Sequence, residues 1–195
     1  MNKKNIEEFI AAEKSRSEGV LVEKIDLYFS DIEQQDKADI VFEAFTRYPF
    51  GVLKRFHEWA FGSDLAGKSV DEYLKKDSEA HTAMQKDNLD GFFISGQKKT
   101  DAERYEYFSG ISTIFPLMMT ANYHNWVSDA IEGVGDFGAF VDSYMPKIVE
   151  KYHGVLNAAY DAGDNGAKKS AYVFIAKNNI YEILREYYNW LIAQL

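Results

Sequence analysis

YFSGISTIFPLMMTANYHNWVS, residues 107–128, contains no Asp, Glu, Lys or Arg in a chain that is 27% charged, and an uncharged run of that length belongs in an interior. It does not read as a membrane span. Ser109, Gly110, Ser112, Thr113, Pro116, Thr120, Asn122, His124 and Asn125 interrupt the apolar continuity that a bilayer demands. The spacing predicts a buried central helix from about Thr113 to Ile131, with Pro116 in its first turn, where a missing N–H costs little. Ile114 to Met119 is apolar on every side and so requires neighbours all round. The second half differs. Thr120, Asn122, Tyr123, His124 and Asn125 are polar but uncharged, and buried groups of this kind need hydrogen-bond partners. They are the candidate ligand-binding residues, because a polar cluster in an aromatic-rich helical core reads as a small-molecule pocket. The same residues also read as a core network that satisfies itself, which is the preferred reading. Desolvation there is expected to push His124 toward its neutral form.

Outward from this stretch, 195 residues with 46% hydrophobic and 15% aromatic content suffice for one core, so a single domain over 1–195 is expected. The 31 acidic residues outnumber the 22 basic ones and leave a net charge of −9, which disfavours nucleic acid and anionic membranes and favours a basic protein partner. The chain has no cysteine, so disulfides, thiol catalysis and Cys-based zinc sites are excluded. Residues 1–8 hold no apolar core of signal-peptide length, and the expected location is the cytoplasm.

Helical spacing recurs along the whole chain. Helices are expected from Asn5 to about Ser15, over Gly19 to Ser30, from Asp36 until Pro49 ends the segment, and from Phe50 to a stop at Gly62. Ser69-Val70-Asp71-Glu72 and Thr100-Asp101-Ala102-Glu103 have the form of capping boxes that open two more. A short helix from Phe137 is expected to stop before Pro146, another to start there, and a last one to run from Ala167 to the C-terminus. Phe92 to Ser95 is strand-like, Asn88 to Gly91 is a turn, and no repeat period divides the chain. The fold class is therefore all-α: a single-domain multi-helix bundle around the central helix, with a long C-terminal helix.

Three motifs invite chemistry. Gly62 to Ser69 has the letters of a phosphate-cradling G-x-x-x-x-G-K-S loop, but the segment before it reads as a helix where that loop needs a strand. Glu150 and His153 share a helix face, yet His57, His81 and His124 have no acid three residues before them, so the second pair of a di-iron bundle is missing. Ser109-Gly110 is a poor substitute for a nucleophile elbow. No catalytic residue, metal ligand or cofactor is assigned.

The C-terminal helix carries one apolar stripe through Ala171, Phe174, Tyr181, Tyr188 and Ile192 and a second through Val173, Ile180, Leu184, Tyr187 and Leu191. One core covers one stripe. Tyr181, Leu184, Tyr187, Tyr188 and Leu191 are therefore expected to form an interface, with a partner or in a two-fold homodimer, unless the helix runs through the middle of the domain. The functional expectation is a non-enzymatic acidic helical protein that binds a protein partner, as an inhibitor, immunity or adaptor protein does. The alternative is a small-molecule-binding or sensing domain, and behind it a nucleotide- or metal-dependent enzyme.

Overall fold

A computed structural model describes residues 4–62, 64–65, 67–89 and 99–195. The architecture is an all-α multi-helix bundle with a long C-terminal helix. In chain order it comprises α1 (Ile6–Tyr28), α2 (Gln34–Phe42), a π-helical turn (Glu43–Arg47), α3 (Tyr48–Phe61), α4 (Val70–Leu89), α5 (Asp101–Ser109), a second π-turn (Gly110–Ile114), α6 (Phe115–Ser128), α7 (Phe137–Ala162) and α8 (Asn165–Ile192). Between α3 and α4, β1 (Asp64–Leu65) and β2 (Lys68–Ser69) form a two-residue antiparallel ladder. The expected strand at Phe92 to Ser95 and the end of the turn before it lie outside the described residues.

Short polar side chains set the starts. Asn5 Oδ1 accepts from the Glu7 N–H at 3.1 Å, Asp136 Oδ1 from Gly138 at 3.1 Å and Asp164 Oδ1 from Ala167 at 2.8 Å, each satisfying a donor that the first helical turn leaves over. Thr100 and Glu103 form a complete capping box, whereas at Ser69 only the Glu72 N–H to hydroxyl bond is present. Gly163 ends α7 at φ +73°, a conformation in which a β-carbon is strained.

Helices run further than the breakers in the sequence imply. α1 is continuous through Gly19, and α7 passes Pro146, which is exposed, as is Asp142, so the carbonyl that the proline leaves unserved faces water. Pro49 does not end its helix either. It is the second residue of α3, and Pro116 is the second residue of α6; each directly follows a π-turn. A proline ring crowds the carbonyl four residues back and offers it no N–H; the widened turn, closed by Tyr48 N–H to Glu43 O and by Phe115 N–H to Gly110 O, makes room for the ring but supplies no donor to that carbonyl.

These two prolines belong to a repeat. Thr46, Pro49, His57 and Trp59 recur 67 positions later as Thr113, Pro116, His124 and Trp126, with Phe56 answered by Tyr123. The structure repeats at the same offset. α2, the first π-turn and α3 have 9, 5 and 14 residues, as do α5, the second π-turn and α6, and α4 and α7 start at the equivalent Val70 and Phe137. The two units face each other through α3 against α6 and π-turn against π-turn. The expectation of no repeat is corrected.

α8 lies along both units and packs on α1, α3, α6 and α7. Tyr181, Leu184, Tyr187, Tyr188 and Leu191 are at most 1% exposed, covered by this chain's own helices. Their assignment to an interface gives way to the interior course of α8: the second stripe is met by the chain itself.

Candidate functional site

α3, α6 and α8 bring four polar side chains into the aromatic core. Tyr123 and Tyr187 are fully buried, as is His57, and His124 is 2% exposed. The repeat places His57 and His124 at equivalent positions, but they are served differently. The Tyr123 hydroxyl lies 2.7 Å from His57 Nδ1, so a residue of the second unit reaches across to the first, and Trp126 of the second unit packs edge-on against the His57 ring at 5.1 Å. His124 instead meets α8 and the loop after α6. Its Nε2 lies 2.9 Å from the Gly135 carbonyl and its Nδ1 lies 3.2 Å from the Tyr187 hydroxyl. A carbonyl only accepts, so Nε2 carries the proton and Nδ1 accepts from Tyr187. The Gly135 N–H in turn donates to Gln194 Oε1 at 2.6 Å, which ties the loop to the end of α8.

The neighbouring residues divide. The Thr120 hydroxyl donates to the Pro116 carbonyl at 2.8 Å within its own helix, Asn122 Nδ2 donates to Asp77 Oδ1 at 3.2 Å, and Asn125 is exposed. The five proposed ligand-binding residues thus converge on no shared space. Tyr123 and His124 point into the core, Asn122 reaches α4, and Asn125 faces solvent. His57, Tyr187 and Gln194, which complete the network, come from segments that no local pattern connects to residues 120–125.

Desolvation lowers the pKa of His124 from its ordinary 6.5, against the Gly135 hydrogen bond and the Asp136 charge, which act to raise it. Burial likewise holds the Tyr123 and Tyr187 phenols well above their usual range, so both stay protonated as donors. Since the folded state binds a proton on His124 less readily than the unfolded chain, the neutral network carries no penalty above pH 6.5; the penalty grows as the pH falls below that value and is complete once the pH is under the folded pKa. Urea midpoints at about pH 7.5 and about pH 5.5 should therefore fall further for the wild type than for His124→Gln. The truncation His124→Ala is expected to cost about 1–3 kcal/mol at neutral pH, because it strips partners from the Tyr187 hydroxyl and the Gly135 carbonyl.

Ser109 Oγ lies 2.7 Å from His153 Nε2, the spacing of a nucleophile and its base. The surroundings do not complete the set. The Gly110 N–H is committed to the Glu106 and Tyr107 carbonyls, so the helix has no donor there for an oxyanion, and the pair ties α5 to α7. Gly62 to Ser69 follows α3 directly and folds back as the β1–β2 ladder around Gly67; Lys68 Nζ lies 4.0 Å from Asp129 Oδ2. Ser63 and Ala66 lie outside the described residues, and the described ones lack the strand-to-helix passage of a phosphate loop. Among the described residues no three His, Asp or Glu side chains are grouped to hold a metal, and no helix is long and apolar enough to cross a membrane.

The surface is more informative. Between the C-terminal half of α7 and the first turns of α8 runs an open groove of about 500 Å³, lined by Val155, Ala158, Ala159, Ala167, Ser170, Ala171 and Phe174. Phe174 stands 38% exposed at its edge, although Lys151 Nζ lies 5.7 Å from its ring. Small side chains on both helices let a third backbone come close, and the only polar group among the lining side chains is the Ser170 hydroxyl.

No family model, no curated protein and no solved structure matches this chain.

Proposed function

We propose that this chain is a non-enzymatic acidic helical protein of the cytoplasm that binds a protein partner, and that the groove between α7 and α8 receives it. The observation that carries this reading is the groove itself: an open apolar groove of about 500 Å³ with a partly exposed phenylalanine, on a molecule whose buried Tyr123 and His124 bond to His57 and Tyr187. Such a trough suits a helix that lays one apolar face into it. The net charge of −9 selects the occupant, since it attracts a cationic segment and repels a second copy of the same chain. The partner is thus a basic protein presenting an amphipathic helix, and a homodimer through this groove is the disfavoured outcome. The pocket reading, built on Thr120 to Asn125, is weakened because the buried members of that set meet protein partners.

Fluorescence anisotropy with labelled amphipathic helical peptides of matched apolar face and opposite net charge tests this. The cationic peptide should bind, the anionic one should bind at least tenfold more weakly at low salt, and Ala158→Arg should abolish binding while leaving the helical spectrum unchanged. Equal binding of both peptides to wild type and variant would remove the groove from consideration.

A further inference from the structure

The two π-turns meet in the core, and α8 closes the space between them. A cavity of about 10 Å³ lies there, roughly the room that one water molecule needs. Its lining follows the repeat: Pro49 and Pro116 are equivalent, and so are Phe45 and Ser112, while α8 contributes Ile175, Ala176, Asn179 and Ile180.

Its polar members are Ser112, whose hydroxyl donates to the Phe108 carbonyl, and Asn179, 3% exposed. Its Nδ2 donates to the carbonyl of Ser112, and that carbonyl is the one four residues before Pro116, to which the proline has no N–H to give. The side chain therefore replaces a missing backbone donor in the second unit. The equivalent carbonyl in the first unit belongs to Phe45, four residues before Pro49, and α8 has only one asparagine at the cavity to serve two such sites. Asn179 Oδ1, meanwhile, is buried with no hydrogen-bond partner in the protein. A buried amide oxygen left in that state costs about 1–3 kcal/mol.

We propose that this cavity is a binding site for a single water molecule, which donates one hydrogen to Asn179 Oδ1 and the other to the Phe45 carbonyl. The water does for the first unit what Asn179 Nδ2 does for the second, and both acceptors are satisfied with two bonds, within the range that buried waters make. No lining side chain is charged, which excludes an ion, and a volume of about 10 Å³ excludes any larger ligand.

Crystals of the wild type and of Asn179→Leu, at a resolution that shows ordered solvent, test the proposal. The wild type should show one density peak within hydrogen-bond distance of both oxygens, and the leucine variant, which fills the space and removes one acceptor, should show none. Oxygen-17 relaxation dispersion in solution should lose one long-lived water between the two proteins. An empty cavity in the wild type, or a peak that persists unchanged in Asn179→Leu, overturns it. If the variant fails to fold, the wild-type map and the wild-type relaxation decide alone.

Discussion

Tyr188→Asp is expected to unfold the chain rather than to release monomers from a dimer. The ring is fully buried, 4.9 Å from the Trp59 ring and 6.1 Å from the Phe56 ring, and its hydroxyl accepts from the Lys4 N–H at 2.9 Å. Losing a buried aromatic side chain costs about 3–5 kcal/mol. Placing an unpaired carboxylate in the same space adds several kcal/mol more. The total reaches the range of a typical domain's stability, about 5–15 kcal/mol. Circular dichroism should show the loss of helix at 25 °C or a melting temperature collapsed toward it. A variant that keeps its helical spectrum and halves its mass in light scattering would return α8 to an interface.

The second large effect is expected at Arg55. Glu13 on α1 is 3% exposed, and its carboxylate accepts from Arg55 Nε on α3 at 2.6 Å and from Arg16 Nη1 at 3.0 Å. Gly51, one turn before Arg55, keeps this corner open, because a β-carbon there would stand 3.2 Å from Arg55 Nη1. Removing one partner of a buried pair strands the other charge, which costs about 3–5 kcal/mol where both are fully enclosed. Arg55 keeps 32% of its side chain exposed and Arg16 remains beside Glu13, so Arg55→Ala is expected to lose about 2–3 kcal/mol in urea denaturation. The double variant Glu13→Leu/Arg55→Met should recover most of that loss, because apolar groups of similar size owe no desolvation. A single-variant loss below about 0.5 kcal/mol would mean that the pair behaves as a surface contact.

Much of the fold is legible in the residues. Uncharged residues 107–128 and the capping box at Thr100 each name an element from local rules, whereas α8 starts at Asn165, capped by Asp164, two residues before the expected Ala167. What local rules miss is compensation at a distance. Pro49 reads as a stop because its lost hydrogen bond is visible in the sequence, while the π-turn that makes room for its ring packs against a second, equivalent turn. The second apolar stripe of α8 reads as an interface because nothing in a single helix says how many neighbours it has. The repeat was present in the spacing of Thr, Pro, His and Trp, yet so few of the paired residues are identical that a search for helical period passes over it. For the candidate site, His124 was readable as a buried neutral histidine, but its partners Tyr187 and Gly135 were not, since both come from other segments. The groove was unreadable for the same reason: alanines on α7 and α8 become a trough only once the hairpin between them closes.

Chemical-shift mapping by two-dimensional NMR tests the proposed role most directly. Titrated with a cationic amphipathic helical peptide, the backbone amides of Val155, Ala158, Ala159, Ala167, Ser170, Ala171 and Phe174 should shift together and saturate, while those of Thr120 to Asn125 stay in place. Shifts confined to Thr120 to Asn125, or none at saturating peptide, would contradict a protein-binding groove between α7 and α8.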